Sequence, residues 1–216
     1  GKISKVVNEL TSLPVLVLNS HTHFDHIGGN AEFSDILAMD TDYTRNNSGG
    51  YSNKLVWEEV SKDALCGALP DDINPETYHT PKFNVKKFIR DGYKIDLGGR
   101  ILEVLSTPGH TPDAISILES DLGLLWVGDL YYDGPIWLFA SESNLDAYYQ
   151  SVERLCNLVP HVNTLHPAHN GPIADPESLY LLRNALMNIQ NGTVNGDTIS
   201  GGRIEYLFDG FTLIMK

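Results

Sequence analysis

Four potential metal ligands stand within six residues, His21-Thr22-His23-Phe24-Asp25-His26. No hydrophobic core tolerates such a segment, because three imidazoles and a carboxylate all bring polar atoms that need partners. The apolar run Leu13-Pro14-Val15-Leu16-Val17-Leu18 before it predicts a buried strand. Asn19-Ser20 ends that run, and Ile27-Gly28-Gly29-Asn30 follows the motif. The fold must therefore carry the motif on a loop at a strand's C-terminal end. Layered α/β folds place their chemistry there.

On an extended stretch His21 and His23, two apart, point to the same side. Asp25 and His26 follow as the chain turns, so two side chains can face one ion and two a neighbouring ion. Four groups are too few for two four-coordinate metals, and the rest of the chain offers more. His110 sits in Thr107-Pro108-Gly109-His110-Thr111-Pro112, after the apolar run Ile101 to Leu105. Asp129 sits in Val127-Gly128-Asp129, after the run Leu122 to Val127. His169 sits in His166-Pro167-Ala168-His169-Asn170-Gly171, after Val162-Asn163-Thr164-Leu165. Each repeats one arrangement: an apolar strand, a loop led in by Gly or Pro, then a ligand.

The chain resembles the hydrolases of the metallo-β-lactamase superfamily that hold a dinuclear site. The matching pattern is His21-x-His23-x-Asp25-His26, then His110, Asp129 and His169, at spacings of 84, 19 and 40 residues counted from His26. The resemblance runs from about Leu13 to the C-terminus. It implies His21, His23 and His110 on one metal, and Asp25, His26 and His169 on the other, with Asp129 bridging both. Asp25 and Asp129 carry over as the catalytic carboxylates. His166 competes with His169 for the last place; the family sets this ligand after a Pro-small dipeptide, here Pro167-Ala168. His79 and His161 have no such context and are expected at the surface or in packing. The implied fold is α+β, the family's αββα four-layer sandwich, over a single domain, residues 1–216.

Such a constellation is suited to hydrolysis. Two divalent cations can share one water and lower its pKa from about 15.7 toward roughly 7, giving a metal-bridging hydroxide as nucleophile. No protein nucleophile is then required. The chain offers no G-x-S-x-G elbow, and neither Cys66 nor Cys156 lies in a catalytic motif. Five imidazoles and two carboxylates without a Cys favour two zinc ions, and iron or manganese also suit the set.

Composition narrows the partners. At 216 residues, 42% hydrophobic and 20% charged, the chain is long enough for a substantial core. A net charge of −13 works against a polyanionic partner, since phosphate binding needs clustered Lys and Arg, so no nucleic acid is expected. Two Cys residues, 90 apart, give no disulfide framework and fit a reducing, cytoplasmic setting. No apolar stretch reaches the roughly 18 residues of a membrane span, and no signal peptide is visible.

The organisation after the first motif is readable in outline. Residues 31–39 predict a short helix leading to a strand. Residues 41–83 read as irregular, with a flexible tip at Asn46-Asn47-Ser48-Gly49-Gly50, a short helix over 54–64 and a loop over 69–75. This long stretch can cover the metal site with Tyr43, Tyr51 or Trp57, or be a mobile surface insertion. The DG turn in Phe88-Ile89-Arg90-Asp91-Gly92-Tyr93-Lys94-Ile95 predicts a hairpin. Residues 114–127 predict two strands joined near Ser120-Asp121-Leu122-Gly123. A helix is expected over 144–158, capped by Ser143 or Asn144. Asp175-Pro176 is expected to open another, with Leu179, Leu182, Leu186 and Ile189 as its buried face and Gly192 closing it. A final hairpin turns at Asp209-Gly210.

One departure concerns the start. The family usually carries several strands, roughly fifty residues, ahead of the first motif, whereas residues 1–12 alone precede the strand here. Either the sequence is a piece of a longer chain or the fold has a reduced N-terminal sheet; in both cases an uncovered sheet edge is expected, and such an edge pairs with another chain. The expectation is a homodimer, by edge pairing or by exchange of elements; a monomer in light scattering at micromolar concentration counts against it.

The substrate is hinted at. Leu130 to Phe139, rich in aromatic and apolar residues, leads away from Asp129, and as a pocket wall it favours an acyl or apolar small molecule. Trp137, Leu138 and Phe139 as plain core is the competing reading. The segment GD-x-x-x-DGP is similar to that of superfamily members acting on acyl thioesters. True β-lactamases usually lack the bridging Asp. Only 47 residues follow His169, too few for the glutathione-binding helical domain of the glyoxalase II branch. Small esters, thioesters and lactones remain as expected substrates. The alternatives are a metal-binding or sensor protein of the same fold without turnover, and a phosphodiesterase.

Overall fold

A computed structural model of the chain describes residues 2–61, 64–71 and 73–216. It divides into two compact units, Gly1–Ile89 and Arg90–Lys216.

The first unit holds α1 (Ile3–Leu10), β1 (Val17–Leu18), α2 (Phe24–Ile27), β2 (Ile36–Met39), α3 (Asp42–Asn47), α4 (Asn53–Val56) and β3 (Lys87–Ile89). The three strands form a parallel sheet in the order β1-β2-β3, with Val17 opposite Ile36 and Ala38 opposite Phe88. Ile27, Ile36 and Phe83 are its buried apolar centre, with Val17, Phe33 and Tyr51 packed against them.

Several expectations are corrected here. The apolar run 13–18 is not one buried strand. Leu13 is 73% and Leu16 40% exposed, and only Val17–Leu18 pairs. The expected helix before β2 is a single 3-10 turn, Asn30–Glu32. The expected helix over 54–64 is α4 followed by the 3-10 turn Trp57–Val60, and its end at residues 62 and 63 lies outside the described residues. The loop expected over 69–75 is a loop among its described residues, with the Ile73 N–H donating to the Pro70 carbonyl (2.9 Å) and residue 72 outside the description. The glycine tip is anchored rather than loose. The Phe83 N–H donates to the Ser48 carbonyl (3.0 Å), and Tyr51 and Thr80 exchange bonds at 2.7 and 3.0 Å. Gly50, at φ +82, lies so close to the backbone of residues 80–82 that a Cβ there would overlap it.

The second unit runs β4 (Lys94–Asp96), β5 (Ile101–Ser106), β6 (Ile115–Glu119), β7 (Leu124–Gly128), β8 (Gly134–Leu138), α5 (Leu145–Cys156), β9 (Thr164–Pro167), α6 (Ser178–Gln190), β10 (Asp197–Thr198), β11 (Ile204–Leu207) and β12 (Phe211–Met215). One sheet has the order β4-β5-β6-β7-β9, antiparallel except for the β7–β9 pair; the other has β10-β11-β12-β8, with β12 and β8 parallel. The hairpin expected over 88–95 is absent. β3 pairs in parallel with β2, and β4 pairs with β5. The Asp91 carboxylate explains the difference. It accepts from the Arg154 guanidinium (2.7 and 3.2 Å) and from the Ser106 N–H (2.7 Å), which spends the turn on securing the end of β5.

The two strands expected over 114–127 are β6 and β7, and the terminal hairpin is β11–β12. α5 is capped as expected, with Asn144 Oδ1 accepting from the Ala147 N–H at 2.9 Å, which satisfies an orphan donor of the first turn. α6 begins two residues later than the Asp175-Pro176 signal. Asp175 Oδ1 accepts from the Glu177 N–H (2.9 Å), so Asp and Pro shape the lead-in turn. Leu179, Leu182 and Leu186 face a core shared with Tyr148, Val152, Leu155 and Leu213. Glu119, buried in β6, is satisfied by a two-pronged ion pair with Arg100 that holds its carboxyl below the usual range. Among the described residues no helix is long and apolar enough to cross a membrane.

Candidate metal centre

In the first unit the chain leaves β1 and turns directly into the motif. His21 is fully buried, His23 and His26 are half-buried, and Asp25 is exposed at the first turn of α2. His21 Nε2 stands 3.0 Å from His23 Nδ1, and the His21 and His26 ring centroids are 4.0 Å apart. His26 Nε2 lies 3.4 Å from Asp25 Oδ2. Ser20 Oγ touches Nδ1 of both His21 (3.2 Å) and His26 (3.4 Å), fixing the two rings from behind.

Hydrogen bonds from residues outside the motif hold its backbone. Asn19 Nδ2 donates to the His26 carbonyl (2.7 Å), and Asn30 Nδ2 donates to Asn19 Oδ1 (2.7 Å). Asn47 Nδ2 and the Tyr51 hydroxyl both donate to the Thr22 carbonyl, at 3.1 and 3.0 Å. Tyr43 sits edge-on to His23, ring centroids 6.3 Å apart. Of the three aromatics expected over the motif, Tyr43 and Tyr51 are beside it, whereas Trp57 is 52% exposed on its 3-10 turn. Such outer partners orient ligands and restrict their motion.

In the second unit, β7 ends at Gly128 and the turn lifts Asp129 to 7% exposure. His110 Nε2 lies 3.5 Å and His169 Nε2 3.2 Å from the same Asp129 Oδ2. His110 Nδ1 donates to the Trp137 carbonyl (2.9 Å), which fixes the tautomer and leaves Nε2 as the lone-pair nitrogen. The His110 loop rests on the start of α5. Ser143 Oγ donates to the His110 carbonyl (3.0 Å), the Asn144 N–H to the Gly109 carbonyl (2.8 Å), and Ser151 Oγ to the Pro108 carbonyl (2.6 Å). His169 follows β9, and Asn170 after it takes a left-handed conformation (φ 64) that Asn tolerates. Tyr132 packs edge-on to His169 at 5.2 Å.

His166 is engaged elsewhere, stacked on Trp126 (5.1 Å) with Nδ1 against the Pro172 carbonyl (3.0 Å). His161 is exposed. His79 is exposed too, but it also lines a cavity with Asp25 and His26. The stretch 130–139 divides. Leu130, Tyr131, Tyr132, Ile136 and Leu138 are core, and Trp137 is half exposed against Phe139. Burial pushes the Cys156 thiol up to about 11, so it stays protonated at neutral pH and supplies no nucleophile. The outer partners were missed from sequence. Ser20, Asn19 and Asn47 carry no motif, and the Trp137 acceptor is a backbone carbonyl that any residue would provide.

The donor chemistry fits a divalent cation. Imidazole nitrogens 3.0 Å apart need a shared proton or a shared cation between them, and the surrounding mixture of imidazole and carboxylate suits zinc or iron.

Comparison with known proteins agrees with this chemistry. A family model described as the metallo-beta-lactamase superfamily matches residues 14–192. The acyl-coenzyme A thioesterase MBLAC2 of Gallus gallus is 27% identical over 161 residues, covering 72% of this chain and 56% of its own length. Hydroxyacylglutathione hydrolase GloC of Haemophilus influenzae is 23% identical over 141 residues, covering 63% of this chain and 60% of its own. The chain thus matches little more than half the length of these curated relatives. A protein solved in a di-iron-bound form shares the fold at TM-score 0.54 and 22% identity, covering 82% of this chain and 83% of that one. The mixture of sheets and helices is the metallo-β-lactamase fold.

Proposed function

Because the chain belongs to the metallo-beta-lactamase superfamily, we propose that it is a dinuclear metal-dependent hydrolase of small acyl thioesters or related carboxylic esters. His21, His23, Asp25, His26, His110, Asp129 and His169 hold the metals in this reading, with zinc the first candidate and iron the alternative. One observation carries it: a single buried carboxylate oxygen, Asp129 Oδ2, receives two imidazole nitrogens whose rings come from separate loops.

When bound, the two cations supply an activated water at neutral pH and polarise the substrate carbonyl. The protein's own part is preorganisation. The Trp137 carbonyl holds His110 by its Nδ1–H, and Ser20 braces His21 and His26. Asn47 and Tyr51 hold Thr22 between the first two histidines. Groups fixed in this way lose little freedom when substrate arrives. The thioester assignment is supported by the likeness to an acyl-coenzyme A thioesterase and to hydroxyacylglutathione hydrolase, and by a surface of net charge −13 that disfavours nucleic acid.

The test is turnover of metal-loaded protein on an acyl thioester, a lactone, an aryl ester, a β-lactam and a phosphodiester, with and without chelator. Chelator-sensitive cleavage is expected, fastest on the thioester. Cleavage of the phosphodiester alone, or cleavage that survives chelation, contradicts the proposal.

A further inference from the structure

The first unit contains a cavity of about 670 Å³ that Asp25 and His26 line directly. Its volume falls within the roughly 300–1,000 Å³ of small-molecule sites. Ile3, Val17, Phe33, Val60, Leu69 and Ile73 supply its apolar wall. Several polar groups in the same wall are bonded within the protein. Asn19 and Asn30 bond to each other and to the His26 carbonyl, while Glu32 accepts from the Ser4 N–H (3.0 Å) and hydroxyl (2.5 Å). His79, also in the wall, has Nδ1 against the Thr77 carbonyl (3.0 Å). An occupant meets these apolar side chains on one part of the wall and polar groups on the rest, with Asp25 and His26 of the candidate centre beside it. Leu69 and Ile73 come from the long segment between α4 and β3, so that segment builds a wall of the cavity.

We propose that this cavity binds the apolar acyl chain of the substrate and that Leu69 and Ile73 set the chain length it accepts. The inference rests on the thioester reading and adds to it a side for the acyl group. Against the apolar side chains of the wall, each methylene buried is worth roughly a fourfold gain in binding.

The experiment compares kcat/KM for acetyl and dodecanoyl thioesters in the wild type, Ile73→Trp and Leu69→Trp, with displacement of a fluorescent fatty acid by dodecanoate as a separate binding readout. Both positions are half-buried in loops, where an indole fills the cavity without entering a packed core. The expected result is a dodecanoyl-to-acetyl ratio well above one in the wild type, reduced about tenfold or more in each variant, with fatty-acid binding weakened in parallel. Unchanged ratios and unchanged binding in two folded variants overturn the proposal. If the wild type cleaves no thioester, the hydrolase reading fails and binding alone decides the cavity. Dodecanoate bound by the wild type and lost in both variants supports it, and no binding by the wild type overturns it.

Discussion

Asp129→Asn is expected to lower kcat by about a thousandfold or more, with the fold intact. Lewis-acid stabilisation by bound metals is worth several kcal/mol, and each 1.36 kcal/mol is a factor of about ten in rate. The substitution keeps the size of the side chain. It removes the negative charge that faces His110 and His169, and puts in place of one carboxylate oxygen an amide NH2 group that has no lone pair to offer a cation. Steady-state kinetics on the best thioester, with circular dichroism to verify folding, measure the effect. A folded variant that keeps more than about a tenth of wild-type kcat shows that Asp129 is not at the reacting centre. In a metal-binding protein without turnover, the same substitution would only weaken metal affinity.

The second large effect is on stability. Gly109, beside His110, has φ +140, and a Cβ there would overlap Cα, Cβ and the backbone nitrogen of Tyr148. Tyr148 cannot retreat. It is fully buried in the core of the second unit, with its hydroxyl donating to the Leu130 carbonyl. Overpacking costs roughly 1–3 kcal/mol, and an alanine forced to positive φ adds about 1–2 more. Gly109→Ala is therefore expected to lose about 3 kcal/mol, which at this chain length lowers Tm by on the order of 10 °C. It also displaces the His110 loop from α5 and so weakens metal binding. A melting temperature within about 2 °C of wild type would mean that the loop adapts and the close approach is not a constraint.

Legibility in the sequence followed the range of the interactions. α5 and α6 were readable because the Asn144 cap and the spacing of Leu179, Leu182 and Leu186 are local signals. β11–β12 was readable because a tight turn joins its partners. The failures involve distant partners. The run 13–18 is apolar enough for a strand, but its parallel neighbour β2 pairs with only Val17 and Leu18. The Asp91-Gly92 turn has hairpin chemistry, yet Arg154, 63 residues away, claims the carboxylate, and the Gly92 N–H goes to the Val104 carbonyl. The seven candidate ligands stood out because they follow four apolar runs and are residues that a core would reject. Their supports did not, because they act through serine and asparagine side chains and a main-chain carbonyl, with no pattern of their own. The cavity was hidden too, since Leu69 and Ile73 sit in a stretch without periodicity.

The central claim is that these residues hold two catalytic cations, and elemental analysis of the purified, metal-loaded protein tests it most directly. The account predicts two equivalents of divalent metal per chain, removed by chelator together with the activity, and restored together on adding zinc or iron. A folded, active protein carrying less than one equivalent, or activity indifferent to metal removal, would contradict it.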